Sequence, residues 1–322
     1  MTVGSPLFIL GAGFGNDVKA IVGDDSHRGY PLVSELGDIC FDGKQPQKDG
    51  SIEAQFQEAL ESGNNQPMKL LSDRLMECDY LLASELQQRE NCYLDFLKKF
   101  SGSSFLTFNY DSLVEILLHG LERWFPADGF GVPVKVNYAW FKKDWVAPSS
   151  KQLVVHLHGT LYVSTQETNV VRYPGNTDAM VELLDCPLFH FDPDSMQHRF
   201  PNFAQSSGFG DDDLPHERVI APIPDKASGR TQEFIKLVNQ RAEQLIAKTE
   251  LVIAIGYGFN EHDRSSYDRL IRTLNHVANP KMVVIAPDSQ DICQRLRKNY
   301  TEVVWIPVTK TFREWVDDGF KY

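Results

Sequence analysis

Cysteine is scarce in this chain, and its spacing is not that of a shared site. Five cysteines occur in 322 residues, and each is far from the others: Cys40, Cys78, Cys92, Cys186 and Cys293. An odd number at such spacing predicts neither a disulfide framework nor a zinc ribbon. Free thiols are typical of a reducing compartment, so we expect a cytoplasmic protein.

Long apolar runs and an excess of basic residues are also lacking. No stretch approaches the roughly 20 apolar residues of a membrane-spanning helix. The first ten residues carry no basic side chain, so a first strand is expected there and not a signal peptide. The 32 Lys and Arg against 44 Asp and Glu give a net charge of −12. Because nucleic acids are bound by clustered cations, we expect no direct nucleic-acid partner. Because no apolar run is long enough to span a membrane, we also expect no membrane partner.

The apolar pattern is that of one α/β domain over residues 1–322. In the last third, short apolar runs at Leu251–Ile255, 282–286 and 303–306 alternate with helical patterns at 263–277 and 290–299. Strands that alternate with helices form a parallel sheet covered on both faces. We therefore predict a Rossmann-like α/β fold, a mainly parallel sheet with helices on both faces.

The rest of the chain adds further elements and two distinct regions. Strands are predicted at 6–10, 104–107, 152–157 and 218–222, and helices at 112–118 and 231–248. A helical subregion at 50–100 has apolar residues at three- and four-residue steps, whereas 160–215 is predicted to be an irregular insertion. Ser112 and Glu115 have the spacing of a capping box.

The first strand ends in a glycine turn, Gly11-Ala12-Gly13-Phe14-Gly15. Glycines at a strand end let the backbone approach a pyrophosphate, although a tight strand-to-helix turn would also use them. Asn16 stands where the dehydrogenase fingerprint has its third glycine, and no strand ending in an acidic residue follows at 23–29. A hydride-transfer enzyme is therefore not expected.

Polar residues follow the second strand, in the order Thr107-Phe-Asn109-Tyr-Asp111. The amide of Asn109 offers a donor and acceptors, which suits holding a ribose hydroxyl or a water. Asp111 could stabilise a developing positive charge. A helix N-cap explains Asp111 equally well, and an Asx-turn could explain Asn109.

The third strand ends in His156-Leu-His158-Gly159. Residues two apart in a strand share a face, so both imidazoles are expected to point the same way. His158 lies beside a glycine, where a ligand can approach and an imidazole can act as general base. His156 is predicted to be a packed, hydrogen-bonded core histidine. His190 and His198 are expected at the surface, and we find no metal-ligand spacing.

Two later strand ends complete the set. A second glycine turn, Gly256-Tyr-Gly258-Phe-Asn260, leads to Asp263 at the start of a helix, and Asp288 ends the next strand. Two glycine turns could hold a pyrophosphate and an adenosine, while helix capping is the alternative for both aspartates. Because the carboxyl ends of parallel strands meet at one edge, we predict that all five strand ends lie together.

The order of these motifs resembles the sirtuin NAD-binding domain, and most of all the bacterial sirtuin-like NAD hydrolases of antiphage defence systems. The resemblance implies an NAD+ hydrolase that cleaves the nicotinamide–ribose bond, with Asn109, His158 and Asp111 as catalytic residues. It implies no metal. The residues it implies for binding NAD are Gly11, Ala12, Gly13, Phe14, Thr107, Gly256, Gly258, Asn260, Asp263 and Asp288.

The sequence departs from the deacylases of this family. Two Cys-x-x-Cys pairs would hold zinc between the His-Gly motif and the second glycine turn, and this interval contains only Cys186. A protein deacylase or ADP-ribosyltransferase, and a non-catalytic NAD or ADP-ribose sensor, stay open as alternatives. Since a free NAD hydrolase would kill its own cell, we expect a homo-oligomer and a separate protein partner as trigger or regulator. The helices at 66–100 are a candidate contact, and a cover over the sheet is the alternative role for their apolar residues.

Overall fold

The computed structural model describes most of the sheet-forming chain. The described residues are 5–18, 21, 30–31, 35–41, 43, 52–64, 66–71, 74–75, 78, 86, 90–132, 149–165, 189–191, 217–220 and 229–322. Cys186 and His198, together with most of the predicted 160–215 insertion, lie outside these ranges. Parts of the predicted 50–100 helical subregion also lie outside them.

The described residues form nine strands in two sheets. In chain order they are β1 (Leu7–Leu10), β2 (Phe105–Thr107), β3 (Val154–His156), β4 (Gly159–Thr165), β5 (Phe189–Phe191), β6 (Glu217–Ile220), β7 (Leu251–Ile255), β8 (Lys281–Ile285) and β9 (Val304–Val308). The larger sheet has the order β3-β2-β1-β7-β8-β9. All its neighbouring strands pair in parallel.

The first strand lies in the middle of this sheet. The chain builds outward from β1 to β3 on one side, then returns to pair β7 with β1 and builds outward on the other side. This is the doubly wound strand order of the Rossmann fold, and the reversal beside β1 is its switch point. The predicted fold class is confirmed.

The smaller sheet is antiparallel, with the order β5-β4-β6. Strand β4 begins at Gly159, immediately after the His158 turn, so this sheet extends directly from the end of β3. Within the predicted irregular insertion, the described residues therefore belong to strands.

Helices connect the parallel strands and cover the sheet. Their bounds are α1 (Leu36–Cys40), α2 (Ile52–Glu61), α3 (Cys92–Lys99), α4 (Leu113–Gly120), α5 (Pro126–Gly129), α6 (Gly229–Ile246), α7 (Arg264–Asn275), α8 (Ser289–Arg297) and α9 (Phe312–Asp317). Short 3-10 helices span Ala12–Asp17 and Glu261–Asp263. Within the described residues, no helix combines the length and the apolar character that crossing a membrane requires.

Both faces of the sheet are covered. On one face the Phe8 ring lies 4.8 Å from that of Phe96 in α3 and 5.6 Å from that of its register partner Phe105. Helix α9 packs on α3, where the rings of Phe96 and Trp315 are 6.2 Å apart. On the other face, α6 contacts β3 and buries one stripe of residues, Val238, Ala242 and Ile246. Such apolar layers are what fix a parallel sheet in place.

The predicted capping box at Ser112 is wrong. Ser112 occupies the N-cap of α4 but its side chain makes no capping hydrogen bond, and Glu115 turns inward and is buried. Thr311 and Glu314 do form a reciprocal capping box at the start of α9. The apolar pattern did not predict this capping box.

Candidate functional site

The polar strand ends meet at the carboxyl edge of the large sheet, as predicted. Asn109 Nδ2 donates to the carbonyl of Gly11 over 3.1 Å, which joins the ends of β2 and β1. The Gly13 N–H donates to the carbonyl of Gly256 over 3.0 Å, which joins β1 and β7. The ends of β1, β2 and β7 are therefore joined at the switch point, where doubly wound proteins bind ligands.

The two glycine turns pack directly against each other. A Cβ placed on Gly11 would lie 2.6 Å from the carbonyl oxygen of Gly256, and one on Gly13 would lie 2.9 Å from its Cα. Gly256 has φ +59° and its Cβ would lie 2.4 Å from the backbone of Gly13 and Phe14. Glycine is needed here for contact between turns, which gives the tight-turn interpretation a specific cause.

The hydrogen bonds of the first turn are largely satisfied within the protein. The N–H groups of Gly11, Gly13 and Phe14 donate to the carbonyls of Ile255, Gly256 and Gly11, respectively. The Phe14 ring is buried in the core, 5.1 Å from the ring of Tyr93, whose hydroxyl donates to the Phe14 carbonyl. Ala12 opens the 3-10 helix with its side chain partly exposed. The turn therefore presents a close backbone surface more than a set of open amides.

Asn109 is held by three hydrogen bonds. Its backbone N–H donates to Thr107 Oγ1 over 3.0 Å, and its side-chain Nδ2 donates to Gly11. Its carbonyl accepts from His156 Nδ1 over 3.0 Å. These bonds fix the backbone of Asn109 and the nitrogen of its side-chain amide at this edge of the sheet.

His156 is fully buried between Asn109 and Glu115. Its Nε2 makes a short contact with Glu115 Oε1, and both side chains are inaccessible to solvent. Burial has the largest single effect and lowers the pKa of His156, but the Glu115 carboxylate, together with Asp111 and the hydrogen bond to Asn109, raises the pKa overall. The prediction of a packed, hydrogen-bonded core histidine is confirmed.

His158 pairs with an aspartate from the second glycine turn. Its Nε2 lies 3.1 Å from Asp263 Oδ1, and the Tyr257 hydroxyl donates to Asp263 Oδ2 over 3.3 Å. Burial and the Asp263 carboxylate raise the pKa of Tyr257 well above its usual range, so the phenol remains a donor. The Phe108 ring stacks on Tyr257 at 4.2 Å and meets the His158 ring edge-on at 4.9 Å. The imidazole of His158 is thus held by the Asp263 carboxylate and by the Phe108 ring.

The two histidines do not form one strand face. Strand β3 ends at His156, and Leu157 and His158 form a turn. The two-residue alternation therefore stops before His158, which explains why its partner comes from the β7 end while that of His156 comes from α4. The expectation that both imidazoles share a strand face is wrong.

Neither a family model nor a curated protein matches the sequence. Among solved structures, the chain is similar to a Sir2 homologue mutant in complex with ADP-ribose. Identity is 13%, the TM-score is 0.37, and the match covers 97% of this chain and 88% of that chain.

The remaining predicted residues lie at the margin of this surface. Asp111 Oδ1 accepts from the N–H of Leu113 over 3.2 Å, a local bond made one residue before the N-cap position at Ser112. Asp288 is exposed at the N-cap position of α8 without a side-chain capping bond, and Asn260 is also exposed. The Gly258 carbonyl accepts from Arg295 over 2.6 Å.

Two buried side chains of the site escaped the sequence interpretation. The spacing of Ser112 and Glu115 predicted that Glu115 caps the start of a helix. In the structure Glu115 instead contacts the buried His156. Tyr257 stands between Gly256 and Gly258, and its hydroxyl reaches Asp263 only because the turn folds back. Within the described residues, no cluster of three or more His, Cys, Asp or Glu side chains is arranged to hold a metal.

Proposed function

We propose that the chain hydrolyses NAD+ to nicotinamide and ADP-ribose at the carboxyl edge of the large sheet. The observation that carries the proposal is the His158–Asp263 pair, whose imidazole meets the ring of Phe108, the residue before Asn109. A histidine oriented by a carboxylate is the arrangement of a general base. The order of the motifs in the sequence, which resembles that of sirtuin-like NAD hydrolases, supports NAD as the substrate.

The reaction needs little beyond positioning and one proton acceptor. The bond between ribose C1′ and the nicotinamide nitrogen breaks, and its electron pair neutralises the pyridinium as nicotinamide leaves. Water adds to C1′, and its proton passes to His158 and then to solvent. Asn109 Oδ1 holds the ribose hydroxyl or the water, which converts attack by a solvent molecule into attack by a positioned one.

The contact with Asp263 determines which nitrogen of His158 can accept the proton from water. When Nε2–H donates to the carboxylate, the lone pair of the neutral ring is on Nδ1, which then takes the proton. The carboxylate also stabilises the imidazolium that forms. Tyr257 donates to the same carboxylate and keeps it in place.

Product analysis of the purified chain with NAD+ tests the proposal. Release of nicotinamide and ADP-ribose, lost in His158→Ala and reduced in Asp263→Asn, is expected. The matched controls are His276→Ala and Asp317→Asn, which change exposed residues at the C-terminal ends of α7 and α9. An acyl-ADP-ribose product formed with an acylated peptide would favour a deacylase, and NAD+ binding without turnover would favour a sensor.

The proposal extends to a toxic effector of antiphage defence that acts on cytoplasmic NAD+. Such activity must be restrained in the resting cell, so we propose control through self-assembly or a separate protein partner. Light scattering and NAD+ turnover across a dilution series should change together. A chain that is monomeric and fully active at every concentration would contradict control by assembly.

A further inference from the structure

The buried pair of Glu115 and His156 contacts the proposed reaction centre through one bond. His156 Nδ1 donates to the backbone carbonyl of Asn109, while the side chain of that same residue is anchored at the Gly11 carbonyl. The position of the Asn109 amide is therefore set jointly by the β1 turn and by His156. A shift of the imidazole moves the backbone that carries the amide.

The two contacts of His156 fix its protonation. Donation to the Asn109 carbonyl places a hydrogen on Nδ1. The contact between Nε2 and the Glu115 carboxyl then needs one further proton between those two atoms, because a lone pair facing a carboxylate would be repelled. The pair thus holds Asn109 only while it keeps this proton.

Stability alone does not account for burying these groups. Glu115 Oε2 is buried and has no hydrogen-bond partner within the described residues. A buried ion pair with an unsatisfied oxygen stabilises a fold no better than apolar side chains of similar volume. A role in positioning Asn109 would explain why Glu115 and His156 are buried as a pair.

We propose that Glu115 is a positioning residue that acts through His156 to hold the Asn109 amide for the reaction. The role in catalysis rests on the proposed function, whereas the placement of Asn109 can be observed without any substrate. Glu115 reaches His156 from α4 and has no direct contact with the glycine turns among the hydrogen bonds of the described residues.

A pH dependence follows from the groups around His156. Within the described residues, its charged neighbours are Glu115 from α4 and Asp111 from the loop before it, and the Phe130 ring packs 6.0 Å away. Burial opposes the charge, but the carboxylates prevail and raise the pKa of His156 above its ordinary 6.5. The fixed arrangement of Asn109 should therefore be lost as pH rises through that raised value.

Three variants separate positioning from bulk stability. Glu115→Leu removes the partner, while Glu115→Gln can donate to Nε2 of a neutral His156 and so keeps the hydrogen bond without the charge. Glu250→Leu changes an exposed glutamate before β7 and is the control. Steady-state NAD+ hydrolysis is measured from about pH 5 to about pH 10, roughly two units below neutral and three above, so that both limbs of the pH profile are covered. The Asn109 side-chain amide signals are followed by NMR in asparagine-labelled protein without substrate.

We expect Glu115→Leu to shift the Asn109 amide signals and to lower kcat about 100-fold with little change in KM, the effect of a misplacement of about 1 Å. Glu115→Gln should keep kcat near neutral pH and lose the alkaline decline of the wild type. Unchanged Asn109 signals and kcat in Glu115→Leu, or an unchanged alkaline limb in Glu115→Gln, would overturn the proposal. Absence of turnover in the wild type would refute the hydrolase, and the NMR signals alone would then decide whether Glu115 positions Asn109.

Discussion

Replacement of Gly256 by alanine tests why the second glycine turn contains glycine. The new Cβ would lie 2.4 Å from Gly13 C and Phe14 N and 2.7 Å from Gly13 Cα. These are backbone atoms of the neighbouring turn, so no side chain can rotate out of the way. The hydrogen bond from the Gly13 N–H to the Gly256 carbonyl, 3.0 Å long, would be strained by the same shift.

The expected loss has two parts. An alanine at φ +59° costs about 1–2 kcal/mol because its Cβ crowds the following carbonyl. Forcing apart packed backbone adds about 1–3 kcal/mol, the usual cost of overpacking. The free energy of unfolding should therefore fall by about 2–5 kcal/mol.

Two other glycines provide the matched controls. Gly63 and Gly319 have φ values of +75° and +73°, and a Cβ on either would meet no atom within 4 Å. Their alanine variants report the backbone cost alone, so urea unfolding of all three variants isolates the contact between the turns. If Gly256→Ala were no less stable than Gly63→Ala and Gly319→Ala, the proposed packing of turn on turn would be wrong. A loss of NAD+ binding with stability retained would instead assign Gly256 to the ligand.

Three further outcomes are expected. His156→Ala should lower the free energy of unfolding by about 3–5 kcal/mol, since it leaves the buried Glu115 carboxylate without its partner; thermal unfolding equal to that of His276→Ala would argue against this. Because the pKa of His156 is raised in the folded state, the stability that His156 contributes to the fold is complete below about pH 6.5 and is lost as pH rises through the raised value. Urea unfolding at a series of pH values should show this decline in the free energy of unfolding, and Glu115→Gln should make it smaller. Chelating agents should leave NAD+ turnover unchanged, and activity restored by added zinc would contradict the metal-free mechanism.

Much of the sheet could be predicted because its strands are nearly pure apolar runs. Strand β7 has the predicted bounds, Leu251–Ile255, since five buried residues leave no choice of face. The common edge followed from the same pattern, because parallel strands place their ends together. Strand β3 is shorter than predicted: it ends at His156, whose side chain is satisfied by partners that come from elsewhere in the chain.

The partners within the site could not be predicted, because they are contacts between distant segments. Glu115 has the local spacing of a helix cap, and only the packing of α4 against β3 turns it toward His156. Asp263 occupies the N-cap position of α7, yet its carboxylate pairs with His158 instead of capping. The sequence pattern identifies polar residues at strand ends, whereas the pairing among them is decided by the fold.

The place of β1 at the centre of the sheet has a consequence for biosynthesis. Leu7 pairs with Val252, so the middle of the sheet cannot close until β7 has left the ribosome. Asp263, the partner of His158, lies beyond that strand. Pairings between such distant segments form late in folding. A nascent chain therefore holds Asn109 and His158 before it holds Asp263, and the His158–Asp263 pair can form only after β7 has joined the sheet.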